Sequence, residues 1–200
     1  MKQTPTRDRI LNAAVELFNT QRVSDVSTNH IAAAAGISPG NLYYHFRNKE
    51  EIIRAIYQQQ MEPTWETMYR LPANHPPTLA DLEQLVRENF HLAWRYRFFY
   101  RELLTLLHHD PLLRELYSRR RKGGIENTRA LLLAFARARI LQPPPEPGLT
   151  ELVHMLWLIT EFWGNFIELD RGEITAEGFE EGIQMLWRAL APYMQLSHEK

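Results

Sequence analysis

The chain has 200 residues, 44% of them hydrophobic, and its 23 basic and 24 acidic residues give a net charge of −1. This length allows one substantial core and a small second unit. Cysteine is absent, which excludes disulfides, thiolate zinc sites and thiol nucleophiles and fits a cytoplasmic protein. No signal-peptide core occurs near the N-terminus, and polar residues interrupt the strongest apolar stretch, residues 152–169, so no membrane partner is expected.

The distribution of charge gives the first functional indication. Residues 1–49 carry six Lys or Arg and three acidic residues, so they sum to +3, and the remaining residues therefore sum to −4. DNA-binding domains usually carry a clear basic excess. The net charge argues against a nucleic-acid partner, whereas the distribution favours one for the N-terminal segment.

Helical periodicity dominates the chain and no strand pattern appears, so the predicted fold class is all-α. A first helix is predicted to begin near residues 4–5, where a cap residue precedes proline. A second helix opens at Ser27 or Thr28 and stops at Gly36, and after a tight turn a third helix begins with Ser38 as its N-cap. Two short helices joined in this way are a helix-turn-helix.

The remaining helices are predicted to form a larger body. A fourth helix is expected over residues 49–61, kinked or ended by Pro63. Further helices are expected near residues 78–95, 97–108, 111–141, 150–169 and 175–195, with the proline tract at 143–148 as a loop. We therefore divide the chain into an N-terminal helix-turn-helix domain, residues 1–49, and a helical domain, residues 50–200.

The third helix has two contrasting faces. Leu42 and Phe46 lie four residues apart on one face, which can close over the preceding helix. Asn41, Tyr44 and His45 lie on the opposite side and present hydrogen-bonding and aromatic groups. Such groups suit base edges and phosphates.

The N-terminal end of this helix adds features that suit a polyanion. The helix N-terminus at Ser38 and Gly40 presents unpaired backbone N–H groups, which attract phosphate. Gly40 has no side chain and therefore allows DNA to approach the helix closely. Lys49 adds a cation just beyond the helix.

The signature of the TetR family of bacterial regulators resembles the following stretch of this chain: Ser27-Thr28-x-x-Ile31-Ala32-x-x-Ala35-Gly36-Ile37-Ser38-x-Gly40-x-Leu42-Tyr43-Tyr44-His45-Phe46-x-x-Lys49. The resemblance covers roughly residues 5–56. It implies an all-helical homodimer that binds operator DNA through two helix-turn-helix domains, one from each subunit, and releases the DNA when a small molecule binds the helical domain. Residues 38–46 are more narrowly similar to regulators of fatty-acid and polyhydroxyalkanoate metabolism.

Carried over position by position, the resemblance implies two kinds of DNA contact. The implied phosphate contacts are Thr28, Tyr43, His45 and Lys49, and the implied positions at or near base edges are Ser38, Gly40, Asn41 and Tyr44. The predicted DNA-binding set also includes Ser27 and Pro39, although Pro39 stands where relatives often have a residue that donates to DNA. The residues alone leave two alternatives open, namely Tyr43 packed over the first helix with a solvated hydroxyl and His45 as an ordinary surface histidine.

The last two helices are expected to mediate dimerisation. The helix over residues 150–169 is apolar around most of its circumference, so one flank is expected to meet its own core and the other a second subunit. Glu161 belongs to its polar stripe, which indicates a solvated or interface role. The final helix has a second apolar stripe, so a four-helix interface is predicted. Its predicted residues are Trp157, Trp163, Phe166, Ile183, Trp187, Leu190 and Met194.

Apolar residues of the middle helices are candidates for an effector cavity, and the abundance of aromatic rings favours an apolar or flat ligand such as an acyl chain. The candidates are Trp94, Phe98, Phe99, Leu103, Leu107, Tyr117, Met155 and Phe162, with ordinary core packing as the alternative for each. The pair at residues 108–109 does not indicate a metal site, because adjacent helical residues diverge by about 100° and no carboxylate or cysteine set accompanies them. The basic run at residues 119–122 is interpreted as a solvated helix face, with DNA or a polyanionic ligand as the alternative.

The sequence therefore predicts a ligand-responsive transcriptional regulator that binds operator DNA through residues 1–49 and binds its effector and partner subunit through residues 50–200. Activation and repression both stay open, and the resemblance implies repression as the commoner outcome. No enzymatic activity, cofactor or metal is expected, because no nucleophile–base pair, phosphate loop or metal cluster occurs at useful spacing. Two alternatives remain: a non-specific architectural DNA-binding protein, and a small-molecule enzyme that uses the helical domain.

Overall fold

The computed structural model describes residues 5–195, in which eleven α-helices occur and an isolated bridge between Leu141 and Met194 is the only β-type pairing. The helices are α1 Thr6–Thr20, α2 Thr28–Ala34, α3 Pro39–His45, α4 Lys49–Ile56, α5 Glu62–Met68, α6 Leu79–Arg95, α7 Arg97–Arg101, α8 Leu103–His109, α9 Pro111–Arg137, α10 Gly148–Arg171 and α11 Ala176–Leu190. The all-α prediction is confirmed. Among these helices, none combines the length and apolar character needed to cross a bilayer.

The chain divides into two compact units. The first comprises the residues up to Pro63 together with Tyr96–Arg114, and the second comprises Thr64–Arg95 and the residues from Glu115 onward. Helices α4, α7 and α8 therefore group with the three N-terminal helices, and α9 begins in the first unit and continues into the second.

The first unit is built around α1. Pro5 immediately precedes this helix, and the predicted cap residue Thr4 lies outside the described residues. Ile10, Ala14 and Phe18 of α1 are buried, and Phe18 packs on Phe98 of α7 with ring centroids 5.2 Å apart. Tyr57 and Phe99 form a second ring contact at 5.4 Å. These large side chains fill the interior of the first unit.

The predicted fourth helix continues further than expected. A π-helical turn, Tyr57–Met61, joins α4 to α5, and the helical path runs through Pro63 to Met68. Proline removes one backbone donor and crowds the preceding turn. The wider π-helical turn just before Pro63 accommodates the missing donor and the crowding. The helical path therefore continues through Pro63, although the sequence analysis allowed the helix to end there.

Three other predicted helices have different bounds, and the last of them, expected over residues 175–195, ends at Leu190. The helix expected over residues 97–108 is interrupted at Glu102, whose carboxylate accepts the Val23 backbone N–H at 2.9 Å and an Arg101 N–H at 3.2 Å. The helix expected over residues 111–141 ends at Arg137, and Arg139 adopts a positive φ of 59°. The contact between Glu102 and Val23 joins residues 79 positions apart, which local periodicity does not report.

The second unit is held together by close approaches at glycines. At Gly182 of α11, an added Cβ would lie 2.4 Å from Phe90 of α6 and 2.5 Å from Trp163 of α10. At Gly124 of α9, an added Cβ would lie 2.5 Å from the Trp157 ring. The absence of a side chain at both positions lets the aromatic rings of neighbouring helices approach the backbone.

Adjacent glycines in α9 provide a matched stability test. Gly124→Ala is expected to lower the free energy of unfolding by about 1–3 kcal/mol, because the methyl group overlaps the rigid Trp157 ring. Gly123→Ala is expected to raise it by about 0.5–1 kcal/mol, because its Cβ would meet nothing within 4 Å and alanine favours the helix. Urea unfolding followed by circular dichroism measures both. Equal effects of the two substitutions would contradict the packing described here.

Candidate nucleic-acid interface

The short helix α3 is fixed by its own sequence at its N-terminal end. The Ser38 hydroxyl accepts the Asn41 backbone N–H at 3.2 Å, and Pro39 occupies the first helical position. Both features match the predicted cap. The residues before it form the expected turn: Gly36 has a φ of +64°, and the N–H groups of Gly36 and Ile37 donate to carbonyls of α2 at 3.0 Å.

The two faces of α3 are separated as the sequence predicts. Leu42 and Phe46 are buried at 0% and 2% exposure, whereas Tyr44 is 84% exposed and Asn41 is also exposed. His45 is half-buried, and its ring meets the Tyr44 ring edge-on with centroids 5.2 Å apart. The helix therefore presents a bare polar and aromatic surface that a buried apolar face holds in place.

The N-terminus of α2 lies against the same surface. Ser27 is the cap residue, since its hydroxyl accepts the His30 backbone N–H at 3.2 Å and the His30 ring accepts the Ser27 N–H at 3.3 Å. The hydroxyls of Thr28 and Tyr43 are hydrogen-bonded to each other at 3.0 Å. Tyr43 is exposed, and its hydroxyl contacts the first residue of α2. Two residues predicted to contact phosphate are therefore adjacent in space.

Lys49 has an additional role that the sequence did not reveal. Its ammonium group donates to the backbone carbonyls of Val23 and Val26, the second at 2.9 Å, and so holds the turn that leads into α2. An ammonium group has three donors, so one N–H remains for a further acceptor. More than twenty residues separate Lys49 from these carbonyls, and no local sequence pattern reports such a contact.

Two arginines of α1 support the helix-turn-helix in a similar way. Arg9 donates to the carbonyls of Ala35 and Gly36 at 2.5 and 3.3 Å, which satisfies acceptors at the C-terminal end of α2. The Arg7 guanidinium lies 4.4 Å from the centre of the Phe46 ring. Sequence reasoning missed both residues, because only the folded chain brings α1 to these positions.

The eight predicted ligand-binding residues are divided between the two units. Four of them (Phe98, Phe99, Leu103 and Leu107) belong to the first unit, and the other four (Trp94, Tyr117, Met155 and Phe162) belong to the second. Phe98 and Phe99 are fully buried and packed against other aromatic rings, as the alternative of ordinary core packing requires. Met155 is exposed on α10.

The predicted dimer-interface residues also lie in different environments. Ile183 and Leu190 are buried inside their own chain, which leaves little surface for a second subunit. Trp157 faces α9, where its indole N–H donates to the Thr128 hydroxyl at 3.1 Å. Trp163, Trp187 and Met194 are half-buried, and Phe166 is exposed. Of the three predicted interface residues on α10, Phe166 is therefore the exposed one, and Trp157 and Trp163 are half-buried.

Glu161 is buried, so the expectation of a solvated role for it is wrong. It is 5% exposed, its carboxylate accepts a hydrogen bond from the Tyr117 hydroxyl, and it lies 3.7 Å from the Arg121 guanidinium. Burial raises the pKa of this carboxyl, while the Tyr117 hydrogen bond and the Arg121 charge act in the opposite direction. Helix α9 supplies both partners, which the polar stripe on α10 could not predict.

The basic run on α9 is only partly a solvated face. Arg119 is exposed and pairs with Glu115 at 2.9 Å, as a surface residue would. Arg120 lies instead over two aromatic rings, 4.7 Å from the centre of Trp65 and 5.3 Å from that of Tyr69. The solvated interpretation is therefore wrong for Arg120.

Together, the capped α2 and α3, the turn at Gly36 and the bare face of α3 define a helix-turn-helix DNA-binding protein. Residues 10–56 match the family model described as "Bacterial regulatory proteins, tetR family", and residues 56–200 match that described as "Bacterial transcriptional repressor". The chain belongs to the TetR family of bacterial transcriptional regulators. The resemblance of residues 27–49 to that family is thus confirmed.

Individual relatives agree with this assignment. The transcriptional regulator UidR of Escherichia coli K12 is 48% identical over 58 residues, or 29% of this chain and 30% of UidR. The transcriptional repressor NicS of Pseudomonas putida is 29% identical over 143 residues, or 72% of this chain and 63% of NicS. The match thus spans less than two thirds of either relative. A TetR-family regulator from Marinobacter aquaeolei VT8 has a solved structure with a TM-score of 0.86 and 36% identity, covering 96% of this chain and 92% of that one.

Proposed function

We propose that the chain is a homodimeric, ligand-responsive repressor that binds operator DNA in the cytoplasm through the bare face of α3. The contrast within α3 carries this proposal, because Leu42 is fully buried while Asn41 and Tyr44 face outward. The major groove of B-DNA admits an α-helix, and each base pair presents a distinct pattern of donors and acceptors there. An exposed helix face on a rigid support suits that form of recognition.

The surface suggests how the contacts divide between bases and backbone. Asn41 and Tyr44 are the candidates for base edges, with Ser38 and Gly40 beside them at the start of α3. Thr28, Tyr43, His45 and Lys49 are the candidates for phosphates, which position the protein without reading sequence. The hydrogen bond between Thr28 and Tyr43 supports this division, because it groups two hydroxyls at the N-terminal end of α2.

The regulatory part of the proposal concerns the helical body. The two helix-turn-helix domains of a dimer fit successive major grooves when they are about 34–36 Å apart. A second dimer state in which the two domains are spaced differently would not fit. A ligand that binds one state about 5.5 kcal/mol more tightly than the other moves the population almost completely. The body, residues 50–200, is the proposed site of both effector binding and dimerisation.

The direct experiment compares two duplexes by fluorescence anisotropy: the DNA upstream of the gene and a scrambled duplex of the same composition. Preferential binding to the upstream duplex is expected, and Tyr44→Ala should weaken that binding about tenfold, the value of one good base contact. Leu104→Ala, which changes an exposed residue of α8, serves as the control. Equal affinity for the two duplexes would favour a non-specific architectural protein.

Lys49→Ala tests the phosphate assignment through salt dependence. The logarithm of operator affinity falls linearly with the logarithm of salt concentration, and each neutralised phosphate contributes a slope of about 0.9. Losing one contact should therefore reduce the slope by about that amount. Lys122→Ala removes the same charge from an exposed position on α9 and should leave the slope unchanged. A weaker affinity with an unchanged slope for Lys49→Ala would mean that Lys49 acts only by holding the carbonyls of Val23 and Val26.

A further inference from the structure

A groove lies in the second unit between the end of α5 and the second half of α9. Residues 66–71 form one wall and residues 127–137 form the other, and the volume of the groove is about 410 Å³. Small-molecule sites usually measure about 300–1,000 Å³. None of the residues predicted for the effector cavity lines this groove. We call it the α5–α9 groove.

The floor of the α5–α9 groove is apolar. Ala134 follows Ala130 by four residues and Leu131 by three on α9, and Leu71 and the Tyr69 ring close the opposite side. The small alanine side chains leave room between the two walls. Such a surface accommodates a hydrocarbon chain or a flat ring, because burying either one removes apolar surface from water.

The charged groups of the groove favour an anion. Arg70 and Arg137 line it, and Glu66 is the acidic residue among its lining side chains, so these three residues sum to +1. Neither guanidinium takes part in a hydrogen bond or ion pair with residues 5–195, whereas Arg54, Arg129 and Arg171 pair with carboxylates. A guanidinium group binds a carboxylate through two parallel N–H donors. We infer that the α5–α9 groove binds an amphiphilic carboxylate, with the anionic end at Arg70 and Arg137 and the apolar end over α9.

The groove is connected to α10 through Tyr69. The Tyr69 hydroxyl lies 3.4 Å from the Thr128 hydroxyl, which in turn accepts the Trp157 indole N–H of α10 at 3.1 Å. The Tyr69 ring also supports the Arg120 guanidinium. A ligand that displaces Tyr69 therefore alters the contacts of α10, the helix that carries the exposed apolar face. This regulatory consequence rests on the proposed function, whereas the binding site itself does not.

Calorimetry with three probes below their aggregation concentrations tests the site. Decanoate supplies an acyl carboxylate, 3-phenylpropionate a flat aromatic one, and decyltrimethylammonium an apolar chain with the opposite charge. At least one carboxylate is expected to bind at about 1 mM or below, and the cation is expected not to bind. The carboxylate that binds more tightly shows whether the groove prefers an acyl chain or an aromatic ring. Failure of both carboxylates, or equal binding of the cation, would overturn the inference.

Variants then locate the binding. The double variant Arg70→Gln/Arg137→Gln should weaken carboxylate binding by about tenfold or more, whereas Arg87→Gln, an exposed residue on α6, should leave it unchanged. Ala134→Phe fills the floor without changing the charge and should abolish binding, which provides an independent test if the double variant folds poorly. Unchanged affinity in both groove variants refutes the site.

A parallel operator titration separates this inference from the proposed function. Decanoate or 3-phenylpropionate should lower operator affinity in the wild-type protein and have no effect on the Ala134→Phe variant. If carboxylate binding depends on the two arginines but does not change operator affinity, the ligand site is supported and its regulatory role is refuted. If the protein without added carboxylate binds no operator duplex, the proposed function is refuted. Calorimetry would still decide whether the groove binds carboxylates.

Discussion

Phe166→Glu is expected to convert the protein from a dimer into a monomer and to lower operator affinity at least a hundredfold. Phe166 is 57% exposed, and Met155, Leu158 and Leu169 are exposed on the same helix. At 3.6 residues per turn these four residues fall within about 80° of the circumference of α10. An exposed apolar strip of this kind indicates a surface that another molecule covers.

A second copy of the chain is the expected partner of the strip on α10. On α11, Ile183, Leu186 and Leu190 are buried within their own chain, Trp187 is half-buried, and Glu180, Gln184 and Arg188 are exposed. On α10 itself, the exposed residues His154 and Asp170 fall just beyond the two edges of the strip, and a polar rim of this kind is usual for an interface. In a two-fold symmetric dimer the same strip faces its copy, so one substitution introduces two like charges into an apolar contact.

Light scattering at micromolar concentration measures the mass, and fluorescence anisotropy measures operator affinity. Operator affinity falls because a monomer has a single helix-turn-helix domain, and linking two binding modules raises affinity by about 10²–10⁴ without any new contact. Leu104→Glu is the matched control, since Leu104 is 71% exposed on α8 and lies outside the strip. It should remain dimeric. A dimeric Phe166→Glu protein would contradict the assignment of this surface.

The parts of the site that the sequence predicted are those fixed by local interactions. Ser38 caps α3 three residues ahead of Asn41, and the four-residue spacing of Leu42 and Phe46 buries one face. Each of these signals acts within one or two helical turns. The positions of Asn41 and Tyr44 on the outer surface are therefore predictable from the sequence.

The parts that could not be predicted depend on contacts between distant residues. Phe98 has the character of a cavity-lining residue in the sequence, but the approach of α1 places it against Phe18. Glu161 belongs to a polar stripe, but α9 covers it with Tyr117. Hydrophobic periodicity reports that a face is covered and does not report which element covers it. Cavity and interface residues share that periodicity with core residues, so only the fold separates them.

Asp110→Ala is expected to lower the free energy of unfolding by about 3 kcal/mol, because the Asp110 carboxylate makes two kinds of contact at once. One oxygen accepts the backbone N–H groups of Leu112 and Leu113 at 3.1 Å and so caps α9. The other accepts an Arg54 N–H of α4 at 2.5 Å. Asp110 is buried and Arg54 is four-fifths buried, so alanine would remove a helix cap and leave a guanidinium without its counter-charge.

Two further variants separate these contributions in urea unfolding at a fixed protein concentration, which is needed because dimerisation contributes to apparent stability. Asp110→Asn keeps an oxygen for the cap and should cost about 1 kcal/mol less than alanine. Glu115→Gln breaks the exposed pair with Arg119 in the same helix and should cost less than about 0.5 kcal/mol. If Asp110→Ala were as mild as Glu115→Gln, the Arg54–Asp110 contact would not be a stabilising link between α4 and the start of α9. A large loss confined to Asp110→Ala and Asp110→Asn would show that burial, rather than the presence of an ion pair, determines the effect.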